Sequence, residues 1–86
     1  MIVFTRHARE KFKILRSHRL VVSETQVIKT LEDPDFVDRE SRAPLFVAQR
    51  MLDKTHVLRV VYSKRNGDFR VITFYPGRRK QYEKNR

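Results

Sequence analysis

Val57-Leu58-Arg59-Val60-Val61-Tyr62-Ser63-Lys64-Arg65-Asn66-Gly67-Asp68-Phe69-Arg70-Val71-Ile72-Thr73-Phe74-Tyr75 reads as two strands joined by a two-residue turn. Alternating apolar runs flank Asn66-Gly67, and both turn positions tolerate positive φ, the strongest short-range hairpin signal. Counting outward from the turn puts Ser63 opposite Arg70, Tyr62 opposite Val71, Val61 opposite Ile72, Val60 opposite Thr73, Arg59 opposite Phe74 and Leu58 opposite Tyr75. One face of the hairpin then carries Leu58, Val60 and Tyr62. The other is apolar but interrupted by arginine, with Arg59 as its most conspicuous break.

Upstream of the hairpin, Leu45 to Leu52 and Phe36-Val37-Asp38-Arg39 are two further candidate strands, which makes four antiparallel strands in all. The first third of the chain has the other periodicity. Thr5 is a good N-cap for a helix running to about Ser17 or His18, in which Ala8, Phe12 and Leu15 fall within an arc of roughly 60°. On nearly the opposite side stand Arg6, Arg9, Lys13 and Arg16, a basic outer ridge. Ser23-Glu24-Thr25-Gln26 has the spacing of a capping box and begins a second helix, with Val27, Ile28 and Leu31 inward and an end at Asp33 before Pro34. The predicted architecture is α+β: two N-terminal helices packed on one face of a four-stranded antiparallel sheet. Pro76-Gly77 is expected to end the last strand and release a basic tail, Arg78 to Arg86, with room for one helical turn.

The chain of 86 residues is expected to form one domain, since a core of this size does not divide. The absence of cysteine removes disulfides, thiolate metal sites and cysteine nucleophiles, and fits a reducing cytoplasmic compartment. No apolar run is long enough for a membrane span. His7, His18 and His56 have no second histidine or cysteine at metal-ligand spacing, so no metal or other cofactor is expected. Twenty Lys and Arg against ten Asp and Glu leave a formal charge of +10, which points to an anionic partner, nucleic acid above all. The charge is partitioned: residues 1–20 carry six basic and one acidic side chain, residues 21–43 three and six, residues 44–86 eleven and three.

Candidate site residues follow from that partition. Arg59, Arg70, Arg78, Arg79 and Lys80 gather on the last two strands and their exit, where guanidinium groups suit a phosphodiester. Tyr82 could stack on a base, and His7 is of the residue type suited to acid–base work. Arg6, Arg9, Lys13 and Arg16 form a separate electrostatic footprint.

Thr5-Arg6-His7-Ala8-Arg9-Glu10-Lys11-Phe12, Leu20 to Val27 leading into Leu31-Glu32-Asp33-Pro34-Asp35, and the ending Val71-Ile72-Thr73-Phe74-Tyr75-Pro76-Gly77-Arg78-Arg79 together resemble the DUF4258-type family of small prokaryotic proteins. That family is related to the BrnT-like toxins of the RelE-type ribonucleases. The resemblance spans nearly the whole chain. It implies a RelE-like fold and a metal-independent endoribonuclease of a toxin–antitoxin pair, cutting mRNA, free or on the ribosome, by attack of the 2′-oxygen on the adjacent phosphate. By position it makes His7, Arg59, Arg79 and Tyr82 catalytic, with Arg78 beside them on the phosphate, and implies a small acidic antitoxin. Two other functions fit the residues: a nucleic-acid-binding module without catalysis, and a domain docking an acidic protein.

Overall fold

A computed structural model describes residues 1–83 of the chain. Its elements run β1 (Ile2–Phe4), α1 (Arg6–Ser17), α2 (Glu24–Glu32), β2 (Phe36–Asp38), β3 (Phe46–Met51), β4 (His56–Arg65), β5 (Asp68–Arg78) and α3 (Arg79–Glu83). Lys84, Asn85 and Arg86, the end of the expected basic tail, lie outside the described residues.

Both long helices start and stop where their local chemistry dictates. The Thr5 hydroxyl accepts from the Ala8 amide, and Ser23 and Gln26 form the reciprocal capping box. Ala8 and Leu15 of α1 and Val27 and Leu31 of α2 are buried against Leu58, Val60, Tyr62, Val71 and Phe74 of the sheet. Phe12 lies against Phe74, ring centroids 4.5 Å apart.

The sheet differs from the expected one in three ways. It has five strands in the order β1-β5-β4-β3-β2, and it is mixed, because Ile2–Phe4 pairs parallel to β5. A three-residue apolar run carries no alternation or turn signal, and its pairing is a long-range event that closes on β5 through Phe69 N–H to Met1 O and Thr5 N–H to Val71 O. Secondly, Pro76-Gly77 does not end β5, which continues to Arg78. β1 pairs only as far as Val71, so the later half of β5 is an edge, where a residue without an N–H is tolerated.

The third difference matters most for the site. A β-bulge falls between Val61 and Tyr62, so that Val61 pairs with Thr73, Val60 with Phe74, Arg59 with Tyr75 and Leu58 with Pro76. Ile72 is the extra residue, and every side chain after it changes face. Phe74 enters the helix-covered core instead of standing beside Arg59. Tyr75 takes that place on the opposite face.

The opposite face is not bare. Val47, Val57 and Val61 are fully buried there although no long helix covers them. Residues 39–45, the β2–β3 connection, fold back over it, with the Arg42 guanidinium carbon 6.0 Å from the Tyr75 ring centre. α3 covers the other end against β4 and β5.

Candidate functional site

The face that carries Arg59 has a cross-strand row Phe36, Gln49, Arg59, Tyr75, set by the pairing of β2 with β3, β3 with β4 and β4 with β5. Arg59 is only 6% exposed. Its guanidinium donates from Nε to the Tyr75 hydroxyl at 3.1 Å, from Nη1 to Gln49 Oε1, and from Nη2 to Asp38 Oδ2 at 3.4 Å. Tyr82 of α3 lies over it, ring centre 4.4 Å from Cζ, a cation–π contact in a largely dry setting. The amide of Gln49 is oriented by that bond, since Arg has no acceptor to offer. Its Nε2 is buried with no partner among the described residues.

Asp38 neutralises this buried cation and organises the loop after it. Its carboxylate accepts from the Ser41 hydroxyl, the Ser41 and Glu40 amides, and Arg59. These bonds, the Ser41 hydroxyl first, hold its pKa at about 2, below the ordinary 3.8. The folded-state pKa lies below the unfolded one, so the stabilisation is complete above about pH 4 and is lost as pH falls through about 2. At neutral pH it amounts to about 2 kcal/mol. Urea titrations should therefore separate the wild-type protein from Asp38→Asn by that amount at pH 7 and bring them together near pH 2. A gap independent of pH would contradict the assignment.

Gly77 explains how Tyr82 reaches Arg59. A Cβ on Gly77 would stand 2.2 Å from Tyr82 Cε2 and 2.8 Å from Cδ2. The dipeptide read as a strand terminator is instead the seat of an aromatic ring.

Of the expected catalytic set, Arg59 and Tyr82 are in contact and Arg79 begins α3, its N–H bonded to Thr55 O at 2.8 Å. His7 is elsewhere. It is exposed on α1, the layer that packs on Leu58 and Val60, whereas Arg59 projects from the other side of the same strand. Arg78 pairs with His56 and, like Lys80, is exposed. Arg70 joins the helix-1 ridge rather than Arg59: Arg6, Arg65 and Arg70 line a groove of about 570 Å3 with Val3, Phe4 and Phe69 in its walls. Arg9 lies 5.8 Å from the Phe4 ring centre and Lys64 5.5 Å from that of Phe69, but neither lines the groove, and Lys64 alternates along β4 with Ser63 and Arg65, which do. Its acid, Asp68, is tied to the Met1 amine at 3.0 Å, and Glu10 to Arg6 at 3.4 Å. Lys13 and Arg16 continue along the exposed side of α1.

Sequence reading missed Asp38, Ser41, Gln49, Tyr75 and Arg65. Asp38 and Ser41 have the spacing of a local Asx-type turn, the one signal that was available. Gln49 and Tyr75 come to Arg59 through register and bulge, which leave no local mark.

Among the described residues no cluster of His, Asp or Glu is arranged to hold a metal ion, and no helix is long and apolar enough to cross a membrane. The chain matches no protein-family model, no curated protein and no solved structure. What is established is an α+β domain with a five-stranded mixed sheet, one face under two helices and the other organised around a buried, ion-paired arginine.

Proposed function

We propose that the protein binds nucleic acid, RNA in the first instance, through the phosphate backbone. The observation that supports this is the convergence of Arg6, Arg65 and Arg70 on one groove. Three cations drawn from three elements meet there; of the nearby acids, Asp68 is held by the Met1 amine and Glu10 by Arg6. Such an arrangement neutralises phosphates without reading sequence. Lys13 and Arg16 extend the footprint along α1.

Binding is favoured over cleavage by 2′-oxygen attack for a geometric reason. Cleavage needs a proton carrier beside the phosphate-binding cation. His7 and Arg59 project from different layers, and the charge of Arg59 is already matched by Asp38. The RelE-type resemblance supports RNA as the source of the backbone. A small acidic antitoxin-like protein would compete for the same cations.

With three phosphate contacts on a single strand, affinity should fall about 20-fold between 50 and 200 mM salt. Fluorescence anisotropy with a labelled 20-mer RNA in EDTA measures this and, by gel, whether the RNA stays intact. Arg6→Gln/Arg65→Gln/Arg70→Gln should flatten the salt slope by about two units. Arg78→Gln/Lys80→Gln, which removes two charges outside the groove, should change it less. Equal slopes for the wild-type protein and the triple variant would refute the groove as the binding site, and RNA cut in EDTA would restore the nuclease reading.

A further inference from the structure

A second groove, of about 690 Å3, opens between the β2–β3 connection and α3 on the face that carries Arg59. Its volume is that of a small-molecule site. Tyr75 and Tyr82 stand in its walls, ring centroids 6.5 Å apart and tilted by 52°, with the Arg59 guanidinium against both. Glu40, Ser41 and Gln81 line its rim.

Three features select the ligand. Charge comes first: Asp38 compensates Arg59, and Glu40 adds a further carboxylate, so the groove offers no net attraction to a phosphate. This separates it from the arginine groove, where cations exceed acids. Shape comes second, because tyrosine rings and a guanidinium plane present flat surfaces on which a planar ring stacks. Third is hydrogen bonding. Arg59 uses three of its five N–H groups on Tyr75, Gln49 and Asp38 and keeps two among the described residues, the exposed Gln81 amide offers donor and acceptor together, and Glu40 accepts. A flat ligand with donors and acceptors around its edge satisfies all three, and an anion or an aliphatic chain satisfies at most one.

We propose that this groove takes a single unpaired nucleobase, stacked beside Tyr82 and read along its edge by Glu40, Gln81 and Arg59. The inference rests on the nucleic-acid reading for the source of the base. It deepens that reading to single strands, since a base within a duplex has its pairing edge occupied and both faces stacked.

The test separates the base from the backbone. The 15N-labelled protein is titrated with adenosine and uridine, which have no phosphate, and with ribose 5-phosphate, which has no base. At least one nucleoside should shift the Gln81 side-chain amide and the Ser41 backbone amide saturably, and ribose 5-phosphate should not. Gln81→Ala, at an exposed position, should leave the melting temperature unchanged and weaken nucleoside binding about fivefold. Glu40→Ala serves as the second variant. Shifts reproduced by ribose 5-phosphate would make the groove an anion site and overturn the proposal. So would silence towards both nucleosides, or titrations unchanged by both variants. Salt-dependent RNA binding with a silent pocket would sink this inference alone, whereas nucleoside binding without RNA binding would sink the arginine groove alone.

Discussion

Arg59→Ala is expected to lower the unfolding free energy by about 3 kcal/mol and the melting temperature by roughly 12–24 °C. The side chain is buried, and its removal leaves Asp38 without its cation, the Tyr75 hydroxyl without a donor, and Gln49 with neither end of its amide satisfied. Deleting one member of a buried ion pair costs about 3–5 kcal/mol, because the remaining charge is stranded. The lower end applies because the Asp38 side chain is still 20% exposed and keeps its bonds to Ser41 and Glu40. Arg59→Lys should recover only part of the loss, since an ammonium cannot donate along three diverging directions while lying flat against Tyr82. Chemical denaturation of the three proteins at pH 7 measures both effects. A loss under 1 kcal/mol for Arg59→Ala would show that the arginine is a surface ladder residue, not the node of this face.

The same pair of variants separates structure from chemistry. A folded Arg59→Lys protein that binds RNA with wild-type salt dependence fits an arginine that holds α3 and β2 to the sheet. A backbone-binding role for Arg59 would instead reduce the salt slope in proportion to its lost contacts.

Gly77→Ala should cost about 2 kcal/mol and detach Tyr82 from the sheet. The added methyl would overlap the ring at 2.2 Å, far inside contact distance, and the strand beneath is fixed by its pairing with Val57. The ring is the part that can move, because α3 is only five residues long and no helix of that length is stable by itself. The expected cost is therefore that of losing the docked ring: its burial and its contact with Arg59. Trypsin should then cut after Arg78, Arg79 or Lys80 faster than in the wild-type protein, while Val60 and Phe74 keep their hydrogen-exchange protection. Unchanged stability and proteolysis would mean that Tyr82 is not seated on Gly77. Because Tyr82 also walls the nucleobase groove, the variant should weaken nucleoside binding without altering the salt slope of RNA binding.

The two predictions concern positions whose importance had unequal visibility in the chain. Arg59 stands out in the run Val57 to Tyr62 because a charge interrupts β-branched and aromatic residues, but its burial comes from the cover that residues 39–45 and α3 lay over that face. Its partners were not visible. Gln49 is ten residues away and Asp38 twenty-one, and Tyr75 replaces Phe74 as its neighbour only because Ile72 bulges. Gly77 was visible as a glycine but was given the wrong reason. Next to Pro76 it looks like a terminator, whereas its φ is not positive and the absent Cβ makes room for a ring five residues on.

The basic residues divide in the same way. Arg6, Arg9, Lys13 and Arg16 could be placed on one side of α1 by angle alone, since helical periodicity is a local property. That Arg65 and Arg70 would join the start of this ridge depended on β1, which brings the beginning of α1 to the hairpin end of β5. The exit residues Arg78 and Lys80, grouped with Arg59 in the sequence, stand exposed at the other end of that strand.

By itself the sequence determined what short-range chemistry can encode: two capped helices, a hairpin about Asn66-Gly67, an apolar face on Leu58, Val60 and Tyr62, and a large positive charge. The tertiary structure alone decided the parallel β1–β5 pair, the bulge at Ile72, the fold-back of residues 39–45, and the seat of Tyr82 on Gly77. Each of those joins segments distant in the chain, and a bulge shifts register without altering the apolar pattern that precedes it. For this reason the basic excess became two unlike grooves, one where arginines outnumber acids and one built around an arginine already neutralised.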